Sequence, residues 1–151
     1  MSASAVRARI EHDMKAALKG GDKRRLGALR LMLAAIQQRE IDARTRLDDA
    51  GVMAVLDKMA KQRRDAEAQY REAGREDLAE QERFELAVIA DYLPEPLSGE
   101  ALDRLVEAAV AEAGAASMRD MGRVMALLRP QVQGRADMGE VSARVKARLG
   151  G

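Results

Sequence analysis

The chain has 151 residues, with 26 lysines and arginines against 25 aspartates and glutamates, and no cysteine. That length can bury a core as one ordinary domain or as two small helical ones. The near-cancelling charge excludes a bulk positive field, so any nucleic-acid binding must come from local patches, and the missing cysteine excludes disulfides, thiolate nucleophiles and Cys-ligated zinc. The hydrophobic fraction is 47%, but the aromatics are only Phe84, Tyr70 and Tyr92, which leaves leucine, valine and nine methionines to do most of the packing. The opening MSASAVRARIEHDMK has no apolar signal region, and no stretch approaches the roughly 18 apolar residues of a membrane span, so the expected location is the cytoplasm, with no membrane partner.

Apolar residues recur at spacings of three and four and never alternate over a useful length, which predicts an all-α fold. Glycine, proline and capping residues cut the pattern into seven segments. Helix one is expected from about Ser4 to Lys19, with Val6, Ile10, Met14 and Leu18 on one face and Gly20-Gly21 ending it. Asp22 can cap helix two, whose Leu26, Leu29, Leu33 and Ile36 form a 3-4-3 stripe suited to antiparallel pairing and which fades by Arg46. Asp48 or Asp49 opens helix three, with Val52, Val55, Leu56, Met59 and Tyr70 facing inward and Gly74 closing it. Its polar second half, KQRRDAEAQYREAGRED, is expected to stand partly in solvent. Helix four, from about Glu76 to Leu93, offers Leu78, Leu86, Ile89 and Leu93.

DYLPEPLS is the clearest break, because two prolines two apart cannot sit inside a helix and each pushes its predecessor toward extended backbone. It divides the chain into an N-terminal helical domain of about four helices (1–93), a proline-containing hinge (94–97) and a C-terminal three-helix bundle (98–151). In the bundle, Ser98 caps helix five (Leu102, Leu105, Val106, Ala109, Val110), which Gly114 ends. SMRD at 117–120 is a capping box opening helix six (Met121, Val124, Met125, Leu128), and DMGE at 137–140 has the same logic for helix seven (Val141, Val145, Leu149). Between them, Pro130 and Gly134 end helix six, Asp137 caps helix seven, Arg135 is expected at an exposed corner, and Gly139 leaves room for something to approach closely.

Catalytic chemistry is hard to find. His12 is the only histidine and sits between Glu11 and Asp13 as an ordinary surface residue would. No phosphate-loop or dinucleotide glycine motif is present, and no cofactor is expected. Glu82 and Glu85, one turn apart, could contribute to a metal site, but the arginines around them, Arg75 and Arg83, favour the plainer reading of a solvated charged face.

Basic residues form three local surpluses. Lys15, Lys19, Lys23, Arg24, Arg25 and Arg30 face only Asp22; KQRR at 61–64 is diluted by acids; and Arg129, Arg135, Arg144, Lys146 and Arg148 face Asp137 and Glu140. With few aromatics to stack on bases, backbone phosphate contact is the plausible mode.

Taken in order, DMKAALKGGDKRRLGALRLMLAAIQQREID (13–42), YREAGREDLAEQERFELAVIADYLPEPLS (70–98), DMGRVMALL (120–128) and GRADMGEVSARVK (134–146) resemble the GatB/YqeY family, and the whole chain looks like a stand-alone YqeY-type protein. The resemblance implies a larger N-terminal helical part and a small three-helix domain similar to the tail of the B subunit of the tRNA-dependent amidotransferase. That tail is a tRNA-contacting appendage, and related modules occur fused to a glutaminyl-tRNA synthetase. The family-wide label of carbon-nitrogen ligase with glutamine as amido-N-donor belongs, on this reading, to the larger relative, whose catalytic region this chain lacks.

Three functions follow as expectations. The first is a non-catalytic tRNA-binding module linked to tRNA-dependent amidation or aminoacylation, with Arg123, Arg129, Arg135, Arg144 and Lys146, together with Lys15, Lys19, Arg24 and Arg25, contacting phosphates. The alternative is an adaptor docking on a synthetase or amidotransferase subunit. An independent carbon-nitrogen ligase is the weakest of the three.

Overall fold

The structure, a computed structural model, describes residues 4–150. Those residues form seven α-helices and no strand: α1 (Ala5–Gly20), α2 (Lys23–Ala43), α3 (Asp49–Glu72), α4 (Glu76–Ala90), α5 (Gly99–Ala113), α6 (Met121–Val132) and α7 (Met138–Gly150), with a 3-10 turn at Met118–Asp120. They divide into two compact units, Met1–Leu93 and Pro94–Gly151, each with its own apolar core.

The first unit is built from two helical hairpins, α1 on α2 and α3 on α4. Its core takes Ile10 from α1, Leu29, Met32 and Ile36 from α2, Val52 and Leu56 from α3, and Val88 and Ile89 from α4, with Tyr92 just beyond. The 3-4-3 stripe of α2 is buried as its spacing predicts. Leu18 is not: it is 60% exposed. Steps of four overshoot the 3.6-residue turn by about 40° each, so a fourth member has rotated some 120° off the face that Val6 began. Ile89 of α4 is buried as expected, but Leu78, Leu86 and, beyond the helix, Leu93 are only half-buried while Ala79, Val88 and, again beyond it, Tyr92 are buried; the helix ends at Ala90 because Pro94 bars its continuation.

Polar ties fix the ends of these helices. Ser4, buried, caps α1 by accepting from the Arg7 N–H at 3.1 Å and donates its hydroxyl to Asp49 at 2.5 Å. Asp49 also accepts from the Val6 N–H at 3.2 Å, so it belongs to α1's start; Asp48 is the cap of α3, accepting from Gly51 at 2.9 Å. The Ser4 hydroxyl and then the Val6 N–H hold the Asp49 carboxyl below the usual carboxylate range. Arg7 pairs with Glu11 at 3.1 Å and with Glu40, whose other oxygen accepts from the Leu47 N–H at 2.9 Å. The second half of α3 is largely exposed, as its polarity predicts, and is laced to α4 by ion pairs: Arg63 to Glu85 at 2.9 Å and Glu82 at 3.6 Å, and Glu67, which also pairs with Arg71 of its own helix, to Arg83.

The second unit is a three-helix bundle around Leu102, Val106, Val124, Leu128, Val132, Val141 and Val145. Two ion pairs one turn apart run along α5 and α7: Asp103 with Arg144 at 2.7 Å, and Glu107 with Arg148. Ser117 and Asp120 form the reciprocal capping box, though it opens the 3-10 turn that leads into α6. Asp120 accepts from the Ala116 and Ser117 N–H groups and from Arg123, and these bonds, Ala116 first, hold its carboxyl down at about 2.

A folded-state value below the unfolded one near 3.9 means that the stabilisation is present above pH 4 and is lost as pH falls toward 2. Asp120→Asn should therefore lower the melting temperature of this unit at pH 7 and flatten its decline between pH 4 and 2, read by circular dichroism at stepped pH. An acid profile identical to that of the parent protein would contradict this assignment.

Candidate nucleic-acid interface

The loop between α6 and α7 corrects several expectations. Pro130 lies inside the last turn of α6, and the helix runs on to Val132. The carbonyl that proline leaves without a donor belongs to Ala126, which is exposed to water, and two further helical residues bury Val132 completely. Gly134 then takes the left-handed conformation, with φ of 74°. Asp137 accepts from the Glu140 N–H at 3.1 Å, as an N-cap should, but Glu140 does not complete a box: its carboxylate goes to Arg144 at 3.0 Å. The space left by Gly139 is taken by that same cap, since a Cβ there would stand 2.9 Å from an Asp137 carboxylate oxygen.

Arg135 is half-buried, not at an open corner. Its Nε donates to the Glu95 carbonyl at 3.1 Å, and its own carbonyl accepts from the Leu97 N–H at 2.8 Å. The segment after Pro94 is thereby stitched to the α6–α7 loop. Arg135→Ala should cost the second unit about 1 kcal/mol, the net worth of one such hydrogen bond, and shift tRNA affinity little. A large affinity loss with unchanged melting would instead place this guanidinium on RNA.

The other sequence-predicted cations fall into two classes. Arg144 is held by Asp103 and Glu140, which raise its already high pKa, and reaches the Gly99 carbonyl at 3.4 Å; a Cβ on Gly99 would come within 3.0 Å of that guanidinium. Arg123 binds Asp120 at 2.6 Å. Arg24 binds Glu80 at 2.5 Å and Gln81, and lies 4.0 Å over the Phe84 ring, while Arg25 pairs with Asp91 at 3.4 Å. By contrast Arg129 and Lys146 in the second unit, and Lys15 and Lys19 in the first, are exposed and have no carboxylate within ion-pair distance among the described residues. Arg119, which the sequence did not single out, is also exposed in the second unit; its signal was the excess of seven cations over three acids from 117 to 151.

His12 is exposed on α1. Between Glu82 and Glu85 stands Arg63, occupying the place a cation would need, and burial followed by the charge of Glu85 pushes the Glu82 carboxyl up. Among the described residues no three acidic or histidine side chains converge as a metal site would require, and no helix is long and apolar enough to cross a membrane.

A family model described as Yqey-like protein matches residues 7–149. The protein named Altered inheritance of mitochondria protein 41, mitochondrial, from Pyrenophora tritici-repentis is 30% identical over 145 residues, covering 94% of this chain and 80% of that relative. Its namesakes from Vanderwaltozyma polyspora and Lachancea thermotolerans are 35% and 32% identical over 85 and 96 residues. Those two alignments span 46% and 51% of the relatives' own length, so this chain matches about half of each. The match from Arg7 to Leu149 takes in both helical units, from the Arg7–Glu40 tie to the last core residue of α7, and the chain belongs to the YqeY-like family.

Proposed function

We propose that this protein is a non-catalytic tRNA-binding accessory module serving tRNA-dependent amidation or aminoacylation in the cytoplasm. The observation that carries the reading is the division of its candidate cations. Arg129, Lys146, Lys15 and Lys19 stand exposed without acidic partners among the described residues, whereas Arg24, Arg25, Arg123, Arg135 and Arg144 are engaged within the fold. An unpaired surface lysine or arginine gives up only counterions when it meets a phosphate; a paired one must first break an internal bond. The likeness of the second unit to an amidotransferase tail supplies the choice of tRNA over other polyanions. Absence of cysteine, an exposed lone histidine and a carboxylate pair closed by Arg63 favour binding over catalysis.

Filter binding of unfractionated tRNA across a salt series tests this reading. Each phosphate neutralised steepens the fall of log affinity with log salt by about 0.7 on a single strand and about 0.9 on a duplex, so four contacts give a slope of about −3 to −4. No retention at low salt would overturn the proposal.

A further inference from the structure

The helix α2 carries a second, largely apolar seam opposite the buried one, interrupted by Gln38, whose amide is turned to Asp42 at 3.0 Å. Gly27, Leu31, Ala34, Gln38 and Ile41 follow spacings of four, three, four and three, the pattern by which one helix packs along another, yet all five are exposed. Leu31 is 47% and Ile41 68% exposed, and with Leu18 at 60% they are three of the four large hydrophobic residues exposed among the described residues.

Two open depressions mark the seam's ends. One, of about 400 Å³, lies over Gly27 beside Leu18, Lys23 and Arg30; the other, of about 560 Å³, surrounds Ile41 beside Arg44, Arg46 and Glu40, the last already engaged by Arg7 and the Leu47 N–H. Fourteen residues separate Gly27 from Ile41, or some 21 Å of helix.

Gly27 has no internal justification. It sits inside α2 with an ordinary helical backbone, and a Cβ there would meet nothing within 4 Å. Glycine weakens a helix relative to alanine, so at this position the fold bears a cost without a return of its own. A bare backbone at Gly27, and only a methyl at Ala34, would let another helix approach closely.

Charge identifies the visitor. Lys23 and Arg30 at one end and Arg44 and Arg46 at the other have no ion-pair partner among the described residues, while their neighbours Arg24 and Arg25 do. Leucine and isoleucine framed by cations at both ends suit an apolar stripe flanked by carboxylates, and suit phosphates poorly. We propose that the outer face of α2 is a docking surface for an acidic amphipathic helix of a partner protein. This surface shares no residue with the cations assigned to tRNA, and its success or failure is independent of that assignment.

The test uses the full chain, ¹⁵N-labelled, and a synthetic helical peptide of about 20 residues with leucines at 3-4 spacing flanked by glutamates; a control peptide carries lysine at every glutamate. The glutamate peptide should shift amides along residues 23–46 and the lysine peptide should not. Leu31→Glu/Ile41→Glu, at exposed positions, should weaken binding at least about tenfold while leaving tRNA retention unchanged. Gly27→Gln should also weaken it, yet raise the melting temperature of the first unit by about 4 °C, so that lost binding cannot be put down to lost fold. The proposal is overturned if both peptides bind alike or neither binds, if tRNA displaces the peptide from the seam, or if sedimentation shows a dimer of the chain that the α2 substitutions dissolve.

Discussion

Replacing Leu128 by alanine is expected to unfold the second unit while the first keeps its own melting transition. Leu128 is fully buried in a core whose buried residues all come from α5, α6 and α7. Removing such a side chain costs about 2–5 kcal/mol, the transfer of the lost atoms plus the cavity they leave. A bundle of this size, confined to Pro94–Gly151, holds a total stability of only about 3–5 kcal/mol. The loss therefore matches the whole reserve. Calorimetry should show two transitions in the parent protein and one in the variant, the surviving one unchanged. A single transition shifted as a whole would mean that the two cores fold as one.

Arg7→Met should be the costliest single change in the polar framework of the first unit, about 2 kcal/mol. The side chains of Arg7 and Glu40 are only 12% and 13% exposed. Burial works against the charge on Arg7, but its bonds to Glu40 and Glu11 outweigh that and raise its pKa, while the Leu47 N–H and then Arg7 hold the Glu40 carboxyl down against burial. Methionine fills the volume and leaves Glu40 as a desolvated charge with one hydrogen bond, which is the expensive outcome; removing both charges is cheaper. Denaturant titration of Arg7→Met, Glu40→Gln and the double variant should find the double variant more stable than the sum of the singles predicts. Additive losses would show that the pair is not coupled.

Much of the fold was legible in the sequence because helix signals are local. Gly114, Ser98 and the prolines of PEPL mark ends wherever they fall in the chain, and the inward stripes of α2, α5 and α7 repeat within one helix. What sequence spacing could not supply was the identity of partners far along the chain. Arg135 looked free because Glu95 lies 40 residues away, and Arg144 looked free because Asp103 lies 41 away. Arg24 likewise gave no sign of Glu80 or the Phe84 ring. Gly139 invited a visitor only until its neighbour Asp137 was placed. Conversely, the outer seam of α2 was written in the spacing from Gly27 to Ile41, but only burial reveals that none of the described residues covers it.

The central claim is that the unpaired cations, and not the paired ones, meet RNA. Arg129→Gln/Lys146→Gln and Arg123→Gln/Arg144→Gln each remove two charges from the second unit, and all four sites lie outside its apolar core. Equilibrium binding of tRNA by both double variants and the parent protein, with folding checked by circular dichroism, separates them. The first pair should lower affinity about tenfold and reduce the salt slope by about 2, while the second leaves both near the parent values. The reverse ranking, or equal losses from the two pairs, would contradict the account.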